Sequence, residues 1–343
     1  MKKITFYIFS ILIVLLLIEI LFRGFFWLKY EVPFFKPSKL IEIYYPELRL
    51  QDSVINDGAT KNVLILGGSV IGSQFGPSDQ QFEDKLEKTL NSKVNILNLA
   101  TPGHASLDSY LKFSLFPKDY LDLVIIYHGI NETRANNCPP EVFKNDYSHI
   151  LRYREVKYVY NYYENMDIYT TAFGLVWIYR KIEEKLFGVQ LLPTDDSMAN
   201  WLKYGEDIKT KEPFRKNYQG IIDKCEYEKT PLLLMSFSYY LSPSYTEEKF
   251  AAKQLDYVDY LVPISRWGKK ENVTKGIDTH NQVIQKITNT NPASIFLDIK
   301  NIFPQEGKYF DDPCHFSPEG IDTFTTLISQ FLINHKSIIE KME

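Results

Sequence analysis

The sequence predicts an α/β fold of three layers, in which helices cover both faces of a five-stranded parallel sheet. Amphipathic stretches alternate with short apolar runs; in residues 78–90, for example, Phe82, Leu86 and Leu90 recur at helical spacing. The runs have the length of buried strands. They lie at residues 61–68, 93–100, 121–129, 230–238 and 293–299. Apolar strands that alternate with amphipathic helices are typical of a parallel sheet covered on both sides.

Each predicted strand is supported by its own residues. KNVLILGG is rich in leucine and β-branched residues and ends in two glycines, and KVNILNLA has a similar composition. LDLVIIYHG is apolar throughout its centre, and TPLLLMSFS and ASIFLDI supply the fourth and fifth strands. Ser78 or Asp79 is the candidate N-cap of the helix after the first strand. Residues 105–116 are the helix after the second strand.

Composition excludes several classes of protein. The chain of 343 residues is 45% hydrophobic and 24% charged, which is ordinary for a folded protein. A net charge of −4 without a basic stripe gives no reason to expect a nucleic-acid partner. Cys138, Cys225 and Cys314 are too few for a disulfide framework, and the chain has no CxxC motif that would indicate a zinc ribbon.

The N-terminal segment indicates a membrane partner. Residues 4–28 are apolar except for Glu19 and Arg23, and a spanning helix needs about 20 apolar residues. No small-residue cleavage site follows, so residues 1–29 are predicted as an uncleaved transmembrane signal-anchor. An interfacial helix and a cleaved signal remain the alternatives. The short basic start resembles an export signal and favours an extracytoplasmic position for the rest of the chain.

Three further segments complete the predicted organisation. Residues 30–60 have little periodicity and are predicted as a linker or stalk, and residues 61–338, which contain the five strands, as one domain. A helical insertion at about residues 140–229 interrupts the alternation of strands and helices, and residues 152–188 within it are rich in aromatics. These aromatics could stack on sugar rings, line an acyl groove, lie at a membrane surface or simply pack together.

Polar residues gather where the predicted strands end. In an open α/β sheet, ligands bind beyond the carboxyl ends of the strands, and Ser69 directly follows the first strand. A serine needs a base to act as a nucleophile, and a histidine oriented by a carboxylate is the recurrent solution. Asp312 and His315, three residues apart near the fifth strand, supply that pair. Spacing alone leaves Asp311 open as the orienting carboxylate.

Four blocks of the sequence lie at the predicted strand ends, namely LILGGSV (64–70), Gly103 after the second strand, GINE (129–132) and DPCH (312–315). In this order they resemble the blocks of the SGNH hydrolases, the GDSL-type esterase and lipase superfamily. The resemblance makes residues 61–338 the predicted catalytic domain. The first block has Gly-Gly-Ser where the family usually has Gly-Asp-Ser, and Glu132 replaces the usual aspartate of the third block. The resemblance implies a flavodoxin-like arrangement of the sheet.

The resemblance also implies roles for individual residues. Ser69 is the nucleophile, His315 the base and Asp312 its orienting carboxylate. The N–H groups of Ser69 and Gly103, with the side-chain amide of Asn131, form the oxyanion hole. Fixed donors of this kind are typically worth about 3–4 kcal/mol each in the transition state.

Other chemistries fit the sequence less well. GGSVIG is only a near miss to the dinucleotide fingerprint, no phosphate-binding GK[ST] follows, and we expect no cofactor. A metal site built from His104, His128, Glu132 and His315 lacks the spacing of clustered ligands, so we expect no metal. His104 and Glu132 are instead predicted to contact substrate.

The sequence therefore predicts a membrane-anchored serine esterase. Its substrate would be an O-acyl ester, with O-acetyl the first choice, of a carbohydrate or cell-envelope molecule. The same three residues could instead transfer the acyl group to a sugar hydroxyl of a surface polysaccharide. A catalytically silent binding protein on the same fold is the second alternative, which the presence of Ser69, Asp312 and His315 together disfavours.

Overall fold

The computed structural model describes residues 2–187, 199–291 and 294–335. Small parts of the sequence-based predictions lie outside these residues. They are residue 1 of the anchor, residues 188–198 of the helical insertion, residue 293 of the fifth strand and residues 336–338 of the catalytic domain.

Among the described residues, five strands form one sheet in which every neighbouring pair is parallel, in the order β2-β1-β3-β4-β5. The strands are β1 (Thr60–Gly67), β2 (Lys93–Asn98), β3 (Leu123–Tyr127), β4 (Leu232–Met235) and β5 (Ser294–Leu297). The helices are α1 (Lys2–Tyr30), α2 (Ile41–Tyr44), α3 (Asp79–Leu90), α4 (Ser106–Leu115), α5 (Asn131–Asn136), α6 (Leu151–Met166), α7 (Thr171–Phe187), α8 (Lys211–Glu228), α9 (Glu247–Ala251), α10 (Lys270–Thr288), α11 (Ile299–Ile302) and α12 (Pro318–Asn334). The predicted α/β class and all five predicted strands are confirmed.

The order of the strands explains the two helical layers. The chain passes from β1 to β2 through α3, and then returns past β1 to β3 through α4. Because crossovers between parallel strands are right-handed, these two movements place α3 and α4 on opposite faces of the sheet. α12 packs against α3, whereas α8 packs against α4 and α10. The predicted three-layer arrangement is therefore confirmed.

One part of the core lies between the sheet and the layer of α3 and α12. Val63 and Ile65, which alternate on β1, share a buried cluster with Phe82 and Leu86 of α3 and with Phe324 of α12. A capping box built by Ser78 and Gln81 begins α3 and holds the helix in register with this cluster. Phe82 and Leu86, whose spacing predicted the helix, thus lie on the face of α3 that is buried against the sheet.

The chain separates into two compact units. The first comprises Met1–Pro46 with Ser148–Leu191, and the second comprises Glu47–Tyr147 with Leu192–Glu343. The first unit contains α1, α2, α6 and α7, and the second contains the sheet. α1 is long and apolar enough to cross a membrane, by length and composition.

Within the first unit, the two charged residues that interrupt the apolar stretch of α1, Glu19 and Arg23, are both satisfied. The carboxylate of Glu19 accepts hydrogen bonds from the backbone N–H groups of Thr170 and Thr171 and from the hydroxyl of Thr171, at 2.7–2.8 Å. Arg23 donates to Glu19 at 2.6 Å and to the carbonyl of Asp167 at 2.9 Å. Because every partner belongs to the same unit, the two charges do not interrupt the packing of α1.

Two segments have more structure than the sequence indicated. Residues 30–60, predicted as a linker, contain α2 and two stretches of 3₁₀ helix, Pro37–Leu40 and Pro46–Ser53. α8, which falls inside the predicted insertion, is a helix of the layer that covers the sheet. The domain division stated from the sequence stays a prediction.

Replacing Phe82 tests the packing of α3 on the sheet. Phe82→Ala removes a buried aromatic ring, and we expect the free energy of unfolding to fall by about 3–5 kcal/mol because a cavity is left behind. Denaturant unfolding of the full chain in detergent measures the change. Lys88→Ala, on the exposed face of the same helix, is the control and should change stability by less than about 0.5 kcal/mol. Equal effects of the two substitutions would contradict the packing described.

Candidate active site

Ser69 lies just beyond the carboxyl end of β1, at the start of a turn closed by a hydrogen bond from Gly72 N–H to the Gly68 carbonyl, 3.1 Å long. A Cβ at Gly68 would lie 2.7 Å from the Asn131 side-chain nitrogen, so only glycine fits before the serine. The turn therefore places Ser69 and Asn131 on one small cavity, at the edge of the sheet where ligands of open α/β folds bind.

His315 reaches Ser69 from the loop that precedes α12. Its Nε2 lies 2.8 Å from Ser69 Oγ, and its Nδ1 lies 2.6 Å from Asp312 Oδ2. All three side chains are buried. Residues separated by more than 240 positions in the chain are thus joined in one continuous line of hydrogen bonds from hydroxyl to imidazole to carboxylate.

The carboxylate of Asp312 is fully hydrogen-bonded. Oδ1 accepts from the backbone N–H groups of Cys314 and His315 at 2.8 Å, and Oδ2 also accepts from Val262 N–H at 3.0 Å. Asp311 instead donates its backbone N–H to the carbonyl of His315, and burial raises the pKa of its carboxyl to about 6. The geometry therefore selects Asp312 of the two aspartates that spacing left open.

The amide of Asn131 is held at both ends. Its nitrogen donates to the carbonyl of His104 at 2.8 Å, and its oxygen accepts from the indole N–H of Trp267 at 3.1 Å. Since the indole can only donate, it fixes which end of the amide carries the nitrogen. Gly103, which precedes His104, has a φ of +77°, a conformation that favours glycine. The site therefore holds the Asn131 nitrogen, one of the predicted donors, beside the turn of Ser69.

Glu132 and His104 were both predicted to contact substrate, and the structure places them in different surroundings. Glu132 has no exposed surface, and its carboxylate accepts a hydrogen bond from the N–H of Ser106, at the start of α4. Burial raises its pKa to about 7. Direct contact between Glu132 and substrate is therefore at odds with the structure. The His104 ring lies 2.9 Å from the Lys112 ammonium, and its contact with substrate stays a prediction.

The histidines and acids of the discarded metal hypothesis do not gather at one point. His128 lies 2.7 Å from the hydroxyl of Ser109, and burial lowers its pKa to about 3. Within the described residues, Asp312, Cys314 and His315 do bring potential ligand atoms within 4.8 Å of one another. However, burial raises the pKa of the Cys314 thiol well above its usual range, and a protonated thiol is a poor ligand.

Sequence reasoning missed the residues that surround the imidazole. The ring centroid of Phe75 lies 5.2 Å and that of Trp267 lies 6.3 Å from that of His315. Trp267 and Val262 come from the segment between β4 and α10, which carries no recognisable motif. Their positions depend on tertiary folding, so no local pattern could have identified them.

The fold and the site together define an α/β protein with a Ser–His–Asp line at the carboxyl edge of a parallel sheet. The strand order and the convergence of Ser69, Asn131, Asp312 and His315 confirm the resemblance to the SGNH hydrolases. No protein-family model and no curated protein matches the chain.

Solved structures with a similar fold include esterases and lipases. A GDSL-like lipase from Bacteroides thetaiotaomicron is 14% identical, with 88% of this chain and 100% of that chain covered and a TM-score of 0.44. An acetyl xylan esterase is 13% identical, with 79% and 99% covered and a TM-score of 0.40. A variant of an acetyl xylan esterase from Geobacillus stearothermophilus is 10% identical, with 79% and 93% covered and a TM-score of 0.40. At these values the matches are similarities only, and function must rest on the chain's own residues.

Replacing Asn131 tests the proposed oxyanion donor. Asn131→Ala removes the side-chain amide, and we expect kcat for a chromogenic acetate ester to fall about 10²–10³-fold while the protein stays folded. Trp267→Phe, which removes the indole N–H that orients the amide together with part of the buried ring, should lower kcat by a smaller factor. Asn289→Ala, on an exposed residue at the end of α10, is the control. Unchanged kcat in Asn131→Ala would exclude the amide from the reaction.

The buried carboxyl of Glu132 makes stability depend on pH. Its pKa is about 7 when folded and lies near 4.5 when unfolded, so its contribution is fully present below pH 4.5 and is lost as the pH rises through 7. Glu132→Gln keeps the acceptor oxygen but cannot ionise. We therefore expect the variant to gain stability over the wild type between about pH 4.5 and pH 8, by roughly 3 kcal/mol.

Denaturant unfolding across this pH range measures the free energy of unfolding of the wild type and of Glu132→Gln. Titratable groups that both proteins share cancel in the difference between the two values. Glu226→Gln, at an exposed position on α8, is the matched control and should show no such trend. A difference between wild type and Glu132→Gln that is constant with pH would contradict the raised pKa.

Proposed function

We propose that this chain is a membrane-anchored serine esterase of SGNH type that hydrolyses an O-acyl ester through an acyl-enzyme. The acyl group is proposed to be acetyl, and the alcohol a carbohydrate or another cell-envelope molecule. The observation that carries the proposal is the unbroken line of hydrogen bonds from Ser69 through His315 to Asp312. This line contains a nucleophile, a base and a buried orienting charge in the order that acyl transfer requires.

The acylation half of the reaction follows from these contacts. Ser69 Oγ attacks the ester carbonyl while His315 Nε2 accepts the hydroxyl proton, and Asp312 stabilises the imidazolium that forms. Negative charge develops on the carbonyl oxygen, where the Ser69 and Gly103 N–H groups and the Asn131 amide are proposed to donate. When the intermediate collapses, His315 gives its proton to the leaving alcohol, and the acyl group remains on Ser69.

The deacylation half reverses these roles with water. His315 Nε2 accepts a proton from a water molecule, which attacks the acyl-Ser69 carbonyl, and the same donors stabilise the second oxyanion. Collapse returns the proton to Ser69 Oγ and releases the carboxylic acid. Transfer to a sugar would differ only in the use of a hydroxyl in place of water.

Bulky side chains close to the nucleophile support a short acyl group. Phe75 packs near His315, and Phe237 lines a cavity of about 10 Å³ that adjoins Ser69 and Asn131. An acetyl group is therefore the acyl group we propose.

The cellular setting is proposed from the N-terminal helix. α1 has the length and composition of a membrane span, and Glu19 and Arg23 within its apolar stretch are paired with each other. Lys29, Lys36 and Lys39, at the end of the helix and beyond it, balance the two lysines at its start in the positive-inside count, so the proposal for the side of the membrane rests on the likeness of the short basic start to an export signal. This likeness supports catalytic residues outside the cytoplasm. Tethered esterases at that surface meet carbohydrate and envelope esters, and this agrees with the resemblance to membrane-anchored SGNH proteins.

A fluorophosphonate probe tests the nucleophile. We expect the wild-type chain to be labelled covalently, and Ser69→Ala to lose all labelling because the activated hydroxyl is gone. Ser73→Ala, in an exposed position four residues further on, is the matched control and should label like the wild type. Mass spectrometry of the labelled peptides identifies the site. An unlabelled wild type would favour a binding protein on the same fold.

A further inference from the structure

α7 presents an apolar face that no other described helix of its unit covers. Leu175, Ile178, Ile182 and Leu186 recur every three or four residues and are exposed, from 41% at Ile178 to 69% at Leu186. Ile168, just before the helix, is 74% exposed. Apolar residues at this spacing form one stripe along a helix. Such a stripe marks a surface that contacts another apolar phase or molecule.

α7 packs along α1 and runs in the same direction. Three contacts show this, because they are spaced three residues apart on both helices and follow the same order in each. They pair Glu19 with Thr171, Phe22 with Gly174, and Phe25 with Trp177. A Cβ at Gly174 would lie 2.4 Å from the Phe22 ring, so the close approach of the two helices requires the glycine.

The depth of α7 follows from the length of α1. Residues 4–18 of α1 carry no charge and span about 22 Å at 1.5 Å per residue. The hydrocarbon core of a bilayer is about 30 Å thick, so roughly the next five residues, Glu19 to Arg23, are needed to cross it. The first turns of α7 lie beside those residues and would therefore lie at the outer edge of the core.

The hydrogen bonds and charges of the unit fit this depth. Glu19 and Arg23 are bonded to each other and to backbone groups, so neither is left unpaired near the hydrocarbon. Further along the two helices come Lys29, which lies over the Trp177 ring, and Arg180. Lys29 is about 15 Å beyond Glu19 along the helix, at the level of lipid phosphates, where cations are favoured.

We propose that the start of α7, with Ile168 and Tyr169 before it, inserts into the outer leaflet as a second membrane contact beside α1. The partner is the phospholipid bilayer itself. The proposal rests on the proposed membrane anchoring by α1. A membrane contact would give the helical insertion at about residues 140–229 a function. Two adjacent helices restrict the tilt and rotation of the first unit on the membrane more than one helix does. Leu175 would lie at the outer edge of the core, whereas Leu186, about 16 Å further along the helix, would lie beyond the level of Lys29 and outside the bilayer.

Environment-sensitive fluorophores on introduced cysteines test this gradient in the full chain, reconstituted into phospholipid vesicles that contain nitroxide-labelled lipid. The labelled variants are Leu12→Cys on α1, Leu175→Cys, Ile178→Cys and Leu186→Cys on α7, and Gln80→Cys on α3. The native cysteines are buried and are shielded from the reagent. We expect lipid quenching to be strong at residue 12, weaker at 175 and 178, weaker again at 186, and lost at the exposed residue 80. Thermal melts that match the wild type confirm that each variant is folded.

The outcomes distinguish a failure of the proposed contact of α7 with lipid from a failure of the proposed anchoring by α1. Quenching at residue 12, with residues 175 and 178 as unquenched as residue 80, would overturn the inference and leave the anchor in place. No quenching at residue 12 would overturn the anchor. Shielded but unquenched labels on α7 would show that protein, such as a second copy of the chain, covers this face, and would also overturn the inference.

Discussion

The contact between His315 and Asp312 is the constraint on which the site depends. A buried carboxylate is costly unless hydrogen bonds replace its water, and Asp312 accepts four of them. Three come from its own loop and one from Val262, so the charge fixes two segments to each other. The imidazole can then point only one nitrogen outward, and that nitrogen meets Ser69. Geometry that catalysis requires is thus enforced by the electrostatics of one buried group.

A second constraint holds the loop that carries Gly103 and His104. Asn131 and Glu132 are consecutive on α5, and they hold the chain on both sides of Ala105: Asn131 bonds the His104 carbonyl, and Glu132 accepts from Ser106 N–H. The loop that carries Gly103 is therefore tied to the helix that carries the amide. The fully buried Glu132 therefore has a structural role, because it ties this loop to the start of α4.

The strands, α3, α4 and the Ser69–Asp312–His315 set could be predicted because each leaves a local pattern: an apolar run, a helical spacing, or a motif at a strand end. Spacing alone could not decide between Asp312 and Asp311, because the choice depends on which carboxylate the loop turns inward. Trp267 carries no motif, and its effect on Asn131 arises between residues 136 positions apart. Apart from Arg23, the partners of Glu19 are Thr170 and Thr171, about 150 positions away at the start of α7, so the sequence does not show how this charge is satisfied in an apolar segment.

The acyl-enzyme is the most direct consequence of the proposed mechanism. Rapid acid quenching during turnover of an aryl acetate, followed by mass spectrometry of the intact chain and its peptides, measures it. The account predicts one acetyl group on the peptide that contains Ser69, in the wild type and not in Ser69→Ala. An acetyl group on another residue, such as Cys314, or turnover without any acylated chain at any quench time, would contradict it.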